Sequence, residues 1–255
     1  MKVKPVWWVG VIAWAAYNAI IFIAWVIGDS SYLNMVGPDV AFKSLIVPLS
    51  LGALFMIIVL SSLGWWRPVM TEERRGQPGW TLWVVLLFML GFIVLNGGAT
   101  NWSALAPLHL MMLVAAGILV GFNEESLTRG VLVVAWRGST PSETWVWFWT
   151  TFLFGLMHLP NAFFGTGLIG GVMQVGLAFL AGCGFYLIRR VSGTLLIPMA
   201  LHGAWDFVNF TRLASGGELP KLAPIFQFGT YLLSIALVIV VLVADRRRSS
   251  TQQES

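Results

Sequence analysis

An all-α fold, a polytopic membrane bundle of about eight transmembrane helices, is what this sequence predicts, on three observations. Hydrophobic residues make up 58% of the 255-residue chain and charged residues only 10%, against roughly 25% charged in soluble domains. The mean hydropathy is +0.81. The apolar residues fall in runs long enough to cross a hydrocarbon core, which takes about 20 residues of helix. The basic residues sit in short clusters between those runs, a pattern that suits membrane topology and not a nucleic-acid-binding face. The expected surroundings are membrane lipid, with no nucleic-acid partner.

The runs can be taken in order. Residues 6 to 27 follow only Lys2 and Lys4. Their apolar stretch exceeds the ~7 to 15 residues of a signal sequence, and no A-x-A site follows, so a retained first span is expected. Further spans are predicted at 44 to 66, 80 to 97, 105 to 122 or beyond, 144 to 158, 168 to 188, 194 to 211 and 224 to 244. Trp7, Trp8, Trp65, Trp66, Trp80 and Trp136 lie near span ends, where aromatic belts form, whereas Trp14 and Trp205 are deep enough to be packing residues. Gly167 and Gly171 have the small-x-x-x-small spacing of close helix contacts. The lone Cys183 excludes an intramolecular disulfide and reads as a small buried hydrophobe. One integral membrane domain, 1–255, is predicted, with a polar tail at 245–255.

With the N-terminus inside, the inner side collects Lys2, Lys4, Arg67, Arg74, Arg75, Arg129, Arg137, Arg189, Arg190, Arg246, Arg247 and Arg248. Only Lys43, Arg212 and Lys221 remain outside. This asymmetry predicts cytoplasmic termini. The expected location is a multi-pass position in a bacterial plasma membrane.

Acidic residues are then sorted by depth. Asp29, Asp39, Glu72, Glu73, Glu143, Glu218, Asp245 and Glu254 are expected in loops, at a span edge or in the tail, leaving Glu124, Glu125 and Asp206 in apolar context. Burying a carboxylate at mid-bilayer costs at least ~2.5 to 3.5 kcal/mol, so such residues face a partner or a watery cavity and mark function. "RGVLVVAW" continues apolar after the glutamates, which predicts that the fourth helix runs to about Trp136. Glu124 then lies ~18 Å from that end, and His158, His202 and Asp206 reach ~22, ~12 and ~18 Å into their own spans. Four polar positions on three helices are thus expected in one layer.

Glu125 and Arg129 are four apart with the acid first, the favourable order for a helical ion pair. They are expected to support the site. Glu124, turned ~100° away, is left as the preferred base. A glutamate beside imidazoles can take a proton from water, and His202 with Asp206, four apart, can face a developing oxyanion. Glu124, His158 and His202 could instead hold a divalent metal such as zinc that activates the water. Spacing alone leaves both routes open. No H-E-x-x-H, G-x-S-x-G or aspartyl dyad is present. His109, near the start of the fourth span, is expected to be a packing residue, and Gln174 and Asn209 to bridge helices.

Three segments now stand in order: "EESLTRG", "FGLMH" (Phe154 to His158) and "HGAWD" (His202 to Asp206). They resemble the E-E-x-x-x-R, F-x-x-x-H and H-x-x-x-N/D motifs of the CaaX-protease and bacteriocin-processing family, also called the abortive-infection family. The resemblance covers the motif-bearing core, about 105–211. It implies an intramembrane endopeptidase acting on a membrane-associated peptide or protein, with Glu124 as general base, His158 as its partner in holding water, and His202 with Asp206 as the oxyanion pair. No cofactor is required on this reading, with a zinc-dependent variant as the alternative. Asp206 stands where the prenyl proteases carry asparagine, and an ionised aspartate can only accept hydrogen bonds. Two other functions fit intramembrane acids and histidines. A non-catalytic immunity or scaffold protein would be expected to show damaged motifs, and a proton-coupled transporter to show repeats or broken helices in paired positions.

Overall fold

The computed structural model describes residues 1–72 and 79–253, and among these the chain is helical almost throughout, with no strand. Glu73, Arg74 and Arg75, and the last two residues of the 245–255 tail, lie outside the described residues.

In chain order the helices are α1 (Trp7–Ile27), α2 (Phe42–Leu63), α3 (Trp66–Met70), α4 (Trp80–Ala99), α5 (Pro107–Arg137), α6 (Glu143–Leu156), α7 (Gly167–Ser192), α8 (Leu196–Ala214) and α9 (Ala223–Gln253). Six of these, α1, α2, α4, α5, α7 and α9, are long and apolar enough to cross a membrane. The expected spans at 144–158 and 194–211 correspond to α6 and α8, which do not qualify by themselves. With 14 residues, α6 is ~21 Å long against a ~30 Å core. At 19 residues, α8 is long enough, but it carries His202, Asp206, Asn209 and Arg212, which lower its apolar content. Both still pack inside the bundle. The fourth span runs unbroken to Arg137, as its apolar continuation predicts. The polar sequence after Asp245 continues the helix of α9 to Gln253.

The most extensive helix contact joins α5 to α8, and glycine makes it possible. A Cβ on Gly121 would stand 2.2 Å from the Met199 carbonyl oxygen, and one on Gly117 would stand 2.8 Å from that of Gly203. The two backbones therefore touch, which brings the glutamates of α5 close to the histidine and aspartate of α8. The Gly167/Gly171 pair does not form the expected seam. Gly171 packs against Ala162 in the turn after α6, and Gly167 has open space around it. Helical spacing shows which small residues share a face, but it does not show which helix that face will meet.

A second difference concerns the acids assigned to loops and tail. Glu72 and Glu143 are buried, at 1% and 7% exposure, and with Asp245 they form an ion-pair cluster where several helix ends meet. Arg137 reaches Glu72 at 2.9 Å and also pairs with Glu143. Arg190 contacts Glu143 at 2.9 Å and Asp245 at 2.7 Å, and Arg189 approaches Glu72 at 3.3 Å. The Tyr186 hydroxyl donates to Glu143. Sequence position alone placed these carboxylates in loops, at a span edge or in the tail. In the fold, three arginines from α5 and α7 surround them.

Candidate active site

The site is assembled around the C-terminal part of α5. The Asn123 amide donates to the Leu49 carbonyl at 2.8 Å and pins α5 to α2 immediately before the glutamates. From Ser126 to Leu132 the helix widens into a π-helical segment, a rare geometry that occurs mostly at functional sites. The Thr128 hydroxyl donates to the Glu124 carbonyl at 2.6 Å. No local sequence signal marks this widening.

Arg129, one of the basic residues assigned to the inner surface, lies within the bundle instead. Its Nη1 donates to Glu125 Oε1 at 3.0 Å and to Thr128 Oγ1 at 2.7 Å. Its guanidinium lies 3.9 Å from the centre of the Phe154 ring. A Cβ on Gly182 would stand 2.7 Å from Arg129 Nη2, so α7 offers a glycine where the guanidinium lodges. The Glu125–Arg129 pair is thus present as expected, at 0% and 1% side-chain exposure.

Glu125 has a second contact that the sequence does not show. His202 Nδ1 donates to the same Oε1 at 2.8 Å. The imidazole stacks on Phe185, with ring centres 4.5 Å apart and planes at 18°, while Phe154 meets it edge-on. The ring is thereby held by two aromatic rings and at one nitrogen. Nε2 points the other way, 3.8 Å from Glu124 Oε2 and 3.8 Å from Asp206 Oδ2. The expected His202–Asp206 pair is therefore a neighbourhood and not a hydrogen bond, and it is Glu125 that orients His202.

His158 follows the last turn of α6, where helix carbonyls lack intrahelical partners. Its Nδ1 donates to the Phe154 carbonyl at 2.9 Å, leaving Nε2 as the nitrogen with an available lone pair. Phe154 also meets His158 edge-on, so one aromatic ring contacts Arg129, His158 and His202.

Glu124, His158, His202 and Asp206 all line one cavity of about 550 Å³. Glu124 and Asp206 keep 15% and 27% side-chain exposure, unlike the sealed Glu125, and Glu124 Oε2 has no hydrogen-bond partner among the described residues. Among the described residues, no three His, Cys, Asp or Glu side chains are gathered as a metal-holding group. His109 lies elsewhere, donating Nε2–H to the Val36 carbonyl at 2.8 Å. The aromatic partners Phe154 and Phe185, the π-helical turn and the Glu125–His202 bond went unread in the sequence. Only Phe154 had a signal, as the first residue of its motif.

Residues 106–208 match the protein family described as Type II CAAX prenyl endopeptidase Rce1-like. That segment contains Glu124, Glu125, Arg129, His158, His202 and Asp206. No curated protein and no solved structure matches the chain.

Proposed function

We propose, from the match of residues 106–208 to the Rce1-like family and the resemblance of their motifs to those of the CaaX-protease and bacteriocin-processing family, that this chain is an intramembrane endopeptidase. It hydrolyses a peptide bond of a membrane-associated protein or peptide with water activated by Glu124 and His158. The observation that carries this reading is a buried Glu124 oxygen that has no hydrogen-bond partner among the described residues, faces a cavity and lies 3.8 Å from an imidazole nitrogen.

In the proposed reaction Glu124 takes a proton from a water that also donates to His158 Nε2. The water oxygen adds to the peptide carbonyl carbon, and the carbonyl electron pair moves onto oxygen. His202 Nε2 faces that oxyanion, held in place by Glu125 as the orienting carboxylate of a catalytic triad holds its histidine. For this His202 is the imidazolium throughout, donating Nδ1–H to Glu125 and Nε2–H to the oxyanion, and Asp206 flanks the same nitrogen and matches its charge. Glu124 then returns its proton to the amide nitrogen as the C–N bond breaks. One water is consumed, and no covalent enzyme intermediate forms.

Terminal-peptide proteomics on membranes from cells carrying the wild-type protein or Glu124→Gln tests this. The expected result is at least one membrane-derived peptide whose cleavage requires Glu124. Finding none would remove the protease reading and favour a binding role. Purified protein should hold well under one equivalent of zinc and keep cleaving after chelation. Stoichiometric metal, with activity lost on chelation and restored by a divalent ion, would turn Glu124, His158 and His202 into ligands.

A further inference from the structure

The cavity carries a second polar feature away from the glutamates. Tyr32 begins the short 3-10 turn Tyr32–Asn34 between α1 and α2. This turn sits against the one that follows His158, with the Ser31 hydroxyl reaching the Phe164 carbonyl at 3.5 Å. Asn161 from that second turn donates its amide to Gln174 Oε1 at 2.9 Å. The other end of the Gln174 amide, Nε2, is thereby directed at Tyr32 and donates to its hydroxyl oxygen at 2.6 Å. The phenol oxygen is thus an acceptor, and its own O–H has no acceptor among the described residues. Tyr32, Asn161 and Gln174 line the same cavity as Glu124, His158 and Asp206. Burial, with the charge of Asp206 adding to it, pushes the Tyr32 hydroxyl up to about 12, so it stays protonated and able to donate.

We propose that Tyr32 is a substrate-binding donor whose hydroxyl, aimed by the Asn161–Gln174 chain, hydrogen-bonds a backbone carbonyl of the peptide that Glu124 cleaves. This rests on the endopeptidase reading. A peptide drawn into a membrane cavity leaves water behind, and each of its carbonyls then needs a donor. The acceptor is a neutral internal carbonyl and not a chain-terminal carboxylate. Glu124 and Asp206 line the cavity and, among the described residues, no lysine or arginine does, so a chain-terminal carboxylate has no fixed cation to meet there. The substrate segment thus extends from the glutamates towards Tyr32 as uncharged main chain.

The test measures how fast Glu124-dependent cleaved termini accumulate in membranes after induction of the wild type, Glu124→Gln, Tyr32→Phe, Gln174→Glu and the Tyr32→Phe/Gln174→Glu pair. Tyr32→Phe removes one donor and should slow accumulation about five- to tenfold at equal protein level and equal thermal stability. In Gln174→Glu the carboxylate still accepts from Asn161 but draws the Tyr32 proton to itself, so a similar slowing is expected. The double variant should be no slower than either single variant, because both remove the same donor. Wild-type rates for Tyr32→Phe beside an inactive Glu124→Gln would overturn the Tyr32 assignment alone, as would a loss that merely tracks protein level. Wild-type rates for Glu124→Gln would overturn the endopeptidase reading and this assignment with it.

Discussion

Two clusters of ionisable side chains are buried in this bundle, and they are built on opposite principles. Where the helix ends meet, Glu72, Glu143 and Asp245 face Arg137, Arg189 and Arg190, and the carboxylates are enclosed by guanidinium and phenol donors. At the cavity, Glu124 and Asp206 line the wall and Glu125 lies sealed behind His202, and of the three only Glu125 is held at short range by an arginine. The first cluster balances three carboxylates with three guanidiniums and pairs each of them at short range. The second leaves carboxylate oxygens pointing into open space. A buried charge that is paired and hydrogen-bonded can be structural, whereas one kept short of partners is costly and is retained for chemistry.

The sharpest way to break the comparison is Glu124→Gln. It keeps size and hydrogen bonding but removes the base, so Glu124-dependent cleavage should fall by about a thousandfold or more while yield and thermal unfolding stay unchanged. Near-normal turnover would move the base to Glu125 or a histidine. Next in size are arginine deletions. Arg190→Met takes one guanidinium from Glu143, which keeps Arg137 and Tyr186, and from Asp245, and Arg129→Ala takes the guanidinium from Glu125, which keeps His202; each should cost up to about 3 to 5 kcal/mol, visible as a lowered unfolding midpoint and reduced accumulation. They should differ in turnover per folded molecule. Arg190→Met should leave it intact, and Arg129→Ala should lower it, because Glu125 also holds His202. Equal turnover in the two would mean the clusters are not functionally distinct. The smallest effect is expected from single cysteines placed for topology. Labels near Thr71 and after Asp245 should react from the cytoplasmic side and labels in 159–167 from the other side, with cleavage unchanged. A tail labelled only from outside would reverse the orientation and place the ion-pair cluster on the outer surface.

Part of this contrast was legible in the residues. Glu124, Glu125 and Asp206 stood out because apolar sequence surrounds them, and depth counted along helices brought them level with His158 and His202. The same counting set aside Glu72, Glu143 and Asp245, since an acid beside a turn looks solvated whether or not three arginines from other helices close over it. Arg189 and Arg190, read only as topological charges, are among the least exposed side chains in the chain.

The sequence by itself determined the membrane class, the continuous fourth span through the glutamates, the Glu125–Arg129 pair and the residue types available for hydrolysis. Each follows from composition or from helical periodicity, which act over a few turns of one segment. Only the tertiary structure decided that Glu125 and not Asp206 holds His202, that Gly182 makes room for Arg129, that Gly117, Gly121 and Gly203 form the close seam, and that Tyr32 shares the cavity. These depend on which helix faces meet, and that is set by side-chain shape and backbone approach across helices distant in the chain.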